Sequence, residues 1–347
     1  MVDGTAGMRV LEVEANLLTA GARALEAVIA DVAGEPDFLR FEGVWPSTLA
    51  SDVRAFLATV PALTAAVGAP ETVGTAFDLA HDDGPAADAA VAGFTTAPHA
   101  ALAAALLVRS PPADTWSGLV AESTTYSMLQ AGPEFAAWRS RHAKAPVPVD
   151  DAPRIRVARD GHYTEIVLTR PGRRNALDVR MRDELHGALS EELLRDGPII
   201  LRAEGASFCE GGDLEEFGTF PDPVAAHAVR LGRSLAWRFS QLRSRLVVGI
   251  HGAAVGSGIE LPAFAAHVVA ADHTRIALPE LGLGLVPGAG GTVSIPRRCG
   301  RQRFLALLLH GATIPASTAR DWGLVDEVVP RAELETRLHE IAESTTT

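Results

Sequence analysis

The chain has 347 residues, 47 % of them hydrophobic and 21 % charged, a globular composition that excludes wholesale disorder. Its two cysteines, Cys209 and Cys299, exclude a disulfide framework and a multi-cysteine zinc site, and suit a reducing cytoplasm. The formal charge is −12, with 19 acidic and 8 basic residues up to position 151 and 24 and 23 thereafter, so neither part offers the cationic face that nucleic acid requires.

From the N-terminus, no basic segment leads into an apolar one, so no signal peptide is expected. Residues 1–144 are alanine-rich, with apolar positions recurring at helical spacing over Leu18–Ala30, Leu49–Val67, Ala86–Ala92, Ala100–Val108 and Trp116–Gln130. Glycine and proline punctuate these runs at Gly34-Glu35-Pro36, Gly68-Ala69-Pro70, Gly84-Pro85 and Pro111-Pro112. The expectation is an all-α N-terminal domain. Its longest apolar run, Ala100–Val108, is far short of the ~18–20 residues of a membrane span. Residues 145–153, rich in Pro and Asp, read as an extended linker. The one lysine, Lys144, sits beside it, which leaves no lysine for Schiff-base chemistry in the second part.

Beyond the linker, in 154–347, the period changes. Arg154–Val157 and Tyr163–Thr169 form a predicted hairpin around Asp160-Gly161. Asn175–Leu194 reads as a helix, Pro198–Arg202 as a buried strand and Pro223–Leu242 as a second helix. Strand Leu246–His251, a glycine turn, a helix from Ser257 to His267 and strand Val268–Ala271 follow. Helices Gln302–His310 and Glu333–Ser344 close the chain. Strands alternating with helices indicate an α/β layer with mostly parallel pairing.

No Walker A, Rossmann glycine fingerprint, G-x-S-x-G or H-E-x-x-H pattern is present. The Gly288-Ala289-Gly290-Gly291 run lacks the following Lys-Ser/Thr of a phosphate loop. Two segments stand out. In Ser207–Leu214 a strand runs into Gly211-Gly212 and then Asp213, which is suited to cap the next helix. In His251–Glu260 a strand passes through a small-residue turn into a helix start, where free N–H groups suit a negative charge. Each is also an ordinary tight turn with a cap; together, two such donors on one carbonyl form an oxyanion hole. Glu260 and Glu280 each interrupt apolar runs and are candidates for shared acid/base work on one water.

These segments resemble the crotonase (enoyl-CoA hydratase/isomerase) superfamily. Its landmarks occur in order as Arg170–Leu177, Phe208–Leu214, Gly252–Leu261, Leu278–Gly282, Val286–Thr292 and Ala316–Val329, about half of the chain. The resemblance implies a ClpP/crotonase-type spiral core. It implies an acyl-thioester hydratase or dehydratase, a lyase needing no cofactor, with acyl-CoA as substrate. The backbone N–H groups of Gly212 and Ser257 would bind the thioester oxygen. Glu260 and Glu280 would orient water, and Glu280 would deliver the α-proton. Arg173, Arg174, Ala176, Asp213 and Leu214 would face the substrate and its CoA. A homotrimer or hexamer without nucleic-acid or membrane partners is expected.

The chain departs from the pattern in places. Ser257 stands where glycine is common and His251 where asparagine is common. Glu215 and Glu216 stand where relatives often carry a base near the CoA phosphates, so a carrier-protein thioester stays open as the substrate. The chain ends at Thr347, where typical members continue through further helices. A domain ahead of the core resembles the cofactor-free 3,5-dihydroxyphenylacetyl-CoA 1,2-dioxygenase branch, an arylacetyl-CoA or specialised-metabolite setting, with Glu122–Gln130 in support. That branch carries glutamine at the position of Glu260, and glutamine cannot act as a general base. Isomerisation, hydrolysis, decarboxylation, oxygenation and a non-catalytic partner subunit are the alternatives to hydration.

Overall fold

The computed structural model describes residues 8–29, 37–142, 151–220 and 222–345. The expected linker therefore lies largely outside the described residues.

The first surprise is a sheet. Strands β1 (Arg9–Glu14), β2 (Asp37–Glu42), β3 (Ala62–Val67) and β4 (Leu79–His81) pair in chain order, all parallel. They are connected by α1 (Ala22–Ile29), α2 (Ser51–Thr59) and the single turn α3 (Glu71–Gly74). The N-terminal region is thus α/β, not all-α. The predicted helix Leu49–Val67 divides at Pro61. Val60 adopts φ −59°, ψ 129°, the extended geometry that a following proline imposes, and the chain leaves as β3. That strand, ALTAAV, is buried on both faces, where small residues fit and the helix propensity of alanine is overridden by packing.

Helices α4 (Gly84–Thr96), α5 (Pro98–Arg109), α6 (Thr115–Gln130) and α7 (Pro133–Arg141) follow, with α4 and α6 capped by Asp83 and Asp114. Arg109 at the end of α5 reaches back to the sheet. Its Nε lies 2.8 Å from Asp78 Oδ1, and its guanidinium also donates to the carbonyls of Val60 and Ala62. No single helix among the described residues is long and apolar enough to cross a membrane.

The second part opens with the antiparallel hairpin β5 (Ile155–Arg159) and β6 (Thr164–Leu168), then α8 (Val179–Glu192) and β7 (Ile199–Ala203). The expected long helix 223–242 is two helices, α9 (Pro223–Gly232) and α10 (Leu235–Gln241), because Ser234 starts a new one by accepting from Trp237 N–H. Strands β8 (Leu246–Ile250) and β9 (Ala253–Val255) lead into α11 (Ser257–Glu260). The helix expected to run to His267 stops at Glu260, and a 3₁₀ turn begins at Pro262, which cannot continue the α-helical ladder. Strands β10 (His267–Ala271) and β11 (Arg275–Ala277), helices α12 (Gly291–Cys299) and α13 (Arg301–His310), the short β12 (Ile314–Pro315), α14 (Ala316–Asp321), β13 (Glu327–Val329) and α15 (Leu334–Thr345) complete the chain.

The main sheet has the order β13-β10-β8-β7-β6-β5, parallel except at its hairpin edge, and a small sheet β12-β11-β9 stands beside it. Helix α15 covers one face through Leu334, Leu338, Ile341 and Ala342. The other face belongs to a core that runs without interruption into the N-terminal helices, taking in Phe94, Ala101, Leu119 and Tyr126 together with Phe264, Val293 and Phe304.

The two parts meet closely where α4 crosses α13. A methyl group on Gly93 would run into the carbonyl oxygen of Leu309. Gly93→Ala is therefore expected to cost about 1–3 kcal/mol by overpacking. Gly187→Ala, on an exposed face of α8 with open space around it, should be neutral or stabilise by up to ~1 kcal/mol. Equal thermal midpoints for the two variants would contradict this docking.

Candidate active site

Two chain crossings build the site. Cys209 N–H donates to Ala253 O at 3.2 Å, and Val255 N–H donates to Cys209 O at 2.9 Å. This pairing brings the Gly211-Gly212 turn alongside the turn that starts α11. Gly256 makes that turn with φ +52°, and a Cβ there would lie 2.8 Å from Glu280 Oε1. Beyond the two turns, the N–H groups of Gly212 and Ser257 have no acceptor among the described residues. Both residues line a cavity of about 360 Å³. Two unpaired donors on one cavity form a place for a carbonyl oxygen that gains negative charge.

Glu260 ends α11, is 2 % exposed and lines the same cavity. Its Oε2 accepts from Ala289 N–H at 2.7 Å and Gly291 N–H at 2.9 Å, at the N-terminus of α12. Glu280 opens the 3₁₀ turn Glu280–Leu283, is also buried, and lines the cavity from another side. Its Oε2 is buried with no protein hydrogen-bond partner. Burial drives the Glu280 carboxyl up to about 8, and Glu122 nearby adds to the rise. Burial, then the charges of Glu280 and Glu122, raise Glu260 well above the carboxylate range, while the two amides pull it back. Both carboxyls are thus held above the ordinary range, and two coupled carboxyls on one cavity form an acid/base pair.

Asp213 and Leu214 also line the cavity. Asp213 caps its own turn through Glu215 N–H and binds Arg170 Nη1 at 2.8 Å and Arg173 Nη2 at 3.2 Å. Of the other expected substrate contacts, Arg173, Arg174 and Ala176 do not line the cavity. Arg173 is drawn to Asp213. Arg174 points out to solvent against Glu210 at 2.9 Å, and the Ala176 carbonyl receives Arg170. The acid at 216 has a structural task, since its Oε2 accepts from Val179 N–H at the start of α8. His251 is buried at a strand end, with Nε2 3.0 Å from Gly205 O.

Sequence reasoning did not single out Arg230, Arg182 or Tyr126 as site residues, yet all three line the cavity. Arg230, on α9, stacks 4.6 Å from the Tyr126 ring centroid and donates to Ser123 Oγ and Gln130 Oε1 on α6. Glu122 entered that reasoning only as the start of the segment Glu122–Gln130, with no site role; it is a buried carboxyl on α6 that accepts from Gly290 and Thr292. Arg230, Tyr126 and Glu122 leave no local pattern, because their partners lie 100 or more positions away in the chain.

The Glu280 shift has a thermodynamic consequence. Its folded value is raised, so between about pH 4.5 and 8 the folded chain holds a proton that the unfolded chain has lost. That contribution to stability is complete below the lower bound and disappears as pH rises through the upper one. Glu280→Gln is expected to raise the stability at pH 8 by on the order of a few kcal/mol, read as a higher thermal midpoint, and to change it little near pH 4.5. A midpoint at pH 8 equal to or below the parent's would contradict the buried, proton-holding carboxyl.

Residues 160–346 match the enoyl-CoA hydratase/isomerase family. A probable enoyl-CoA hydratase of Mycobacterium bovis is 33 % identical over 186 residues, which span 52 % of this chain and 70 % of that one. A probable enoyl-CoA hydratase of Bacillus subtilis is 36 % identical over 155 residues, 44 % of this chain and 60 % of that one. The solved enoyl-CoA hydratase of Bacillus anthracis superposes with a TM-score of 0.52 at 33 % identity, over 55 % of this chain and 76 % of that one. With its spiral α/β core and these relatives, the chain belongs to the enoyl-CoA hydratase/isomerase family, within the crotonase superfamily.

Proposed function

We propose that this chain adds water to, or removes it from, an α,β-unsaturated acyl thioester. The observation that carries the reading is that two buried glutamates, Glu260 and Glu280, line one cavity with the unpaired N–H groups of Gly212 and Ser257. Family membership supports a crotonase-type thioester reaction, and the pair of carboxyls favours hydration within that range.

The steps follow from the geometry. The thioester oxygen sits between the two N–H groups, which stabilise the enolate as electrons move toward it. Glu260, its Oε2 fixed by two amides, accepts a proton from water as the water oxygen bonds to the β-carbon. Glu280, protonated at neutral pH, gives its proton to the α-carbon. The net change is one added water, and return of a proton from Glu260 to Glu280 restores the starting state. Neither step requires a cofactor. Leu177, Leu214, Phe217 and Leu283 give the cavity an apolar wall, as an acyl chain requires.

The test is mass spectrometry of a mixed acyl-CoA panel, with crotonyl-CoA and arylacetyl-CoA thioesters, in H₂¹⁸O. The expected product is heavier by one water, with ¹⁸O on the acyl chain. Glu260→Gln and Glu280→Gln should each reduce turnover by about 10²–10⁴-fold, the usual worth of a general acid or base. Oxygen drawn from air, or free acid as the sole product, would overturn hydration and select another reaction.

A further inference from the structure

The N-terminus of α12 is capped by no side chain of its own loop. Its amides are divided between two remote carboxylates in strict alternation. Ala289 and Gly291 donate to Glu260, at 2.7 and 2.9 Å. Gly290 and Thr292 donate to Glu122, at 2.7 and 2.9 Å, and the Thr292 hydroxyl adds a third bond at 2.7 Å. Gly290 sits at φ +97°, and around it the amides two positions apart converge on one carboxylate. Glu260 lies within the family-matched segment, whereas Glu122 lies on α6, ahead of it. We propose that Glu122 is a positioning residue for the reaction: by holding the even-numbered amides it fixes the odd-numbered ones that aim Glu260 at the cavity. This rests on the hydratase reading only for its kinetic half.

The arrangement has a direct electrostatic effect as well. The charged and titratable groups around Glu122 are Arg230 on α9, Tyr126 one turn along α6, and Glu260 and Glu280 on the cavity side. His227 reaches the same helix through Ser123 Oγ at 2.9 Å. Burial pushes Glu122 itself up to about 7, so as it ionises near and above neutral pH its charge disfavours ionisation of both cavity glutamates. Helix α6 also forms part of the cavity wall, through Tyr126 and Gln130. The region ahead of the family core thereby takes part in the site and is not a separate appendage.

The experiment compares the parent chain with Glu122→Gln and Thr292→Val. Glutamine keeps the shape but presents an NH₂ group where the site offers only donors. Valine at 292 keeps both amides and removes one bond to the carboxylate. Two readouts are taken: kcat and KM across pH on a thioester the parent hydrates, and ¹³C-carboxyl NMR titration with glutamate labelling, assigned through Glu260→Gln and Glu280→Gln. Glu122→Gln is expected to lower kcat at least about tenfold with KM within about twofold. Its carboxyl midpoints and both limbs of its pH profile should move to lower pH by about half a unit or more. Thr292→Val should move them the same way by less, and it carries the test if Glu122→Gln does not fold. A merely structural role would reduce the active fraction and leave limbs and midpoints in place, which would overturn the proposal. Unchanged kcat with shifted midpoints would overturn it too. Shifted midpoints in a chain that hydrates no thioester would count against the hydratase reading while upholding the link from Glu122 to Glu260.

Discussion

Burying carboxylates in a protein interior is expensive, and this molecule buries three of them within reach of one another. The counterweight is the N-terminus of α12. Four consecutive amides, at positions 289 to 292, and the positive end of the helix dipole face Glu122 and Glu260 together. Glu280 receives no such help from α12 and is the carboxyl whose Oε2 lacks a partner. Both carboxyls are held above the ordinary range by burial, and the amides lower Glu260 only in part, so the two share acid and base work as a coupled pair in which Glu260 is the one held in a fixed orientation. Much else in the fold serves this arrangement. The glycine turns at 256 and 290 let the chain approach the carboxylates, and α6 brings the third one from outside the spiral core.

The site was legible to the extent that its chemistry is local in sequence. The double glycine before Asp213, the turn before Ser257 and the two glutamates each leave a mark within a few residues, and the structure gathers Gly212, Ser257, Glu260, Glu280, Asp213 and Leu214 on one cavity. Arginines on a loop leave an equally clear mark, but charge alone does not tell where a guanidinium points. Asp213 and Glu210 claim Arg173 and Arg174. The segment Glu122–Gln130 drew notice for its resemblance, but nothing local gave Glu122 a role in the site. A glutamate in a helix is ordinary, and its partners lie 168 and 170 positions away.

The same contrast governs the fold. In the second part, β-branched runs such as Leu246–Ile250 spell out strands, and most predicted elements stand where expected. Ahead of the linker, alanine hides the distinction. Ala62–Val67 has the composition of a helix but forms a strand buried on both faces, a setting that burial and packing decide rather than alternation. The alternation of Leu11 and Val13 with Glu12 and Glu14 in β1 is a period of two that the alanine-rich surroundings obscure. The shared core of the two parts follows from this. Small residues on α4 and α5 allow close approach to α12 and α13, and the helices that dock there also deliver Glu122, Tyr126 and the partners of Arg230 to the site.

Hydration at this site requires a thioester oxygen bound between Gly212 and Ser257 with its α-carbon toward Glu280. The most direct measurement is a crystal structure with butyryl-CoA, a saturated thioester with no double bond to hydrate. The thioester oxygen is expected at about 2.7–3.1 Å from both N–H nitrogens, with the Glu280 carboxyl against the α-carbon. A thioester oxygen bound away from these two amides, or an α-carbon turned from Glu280, would contradict it.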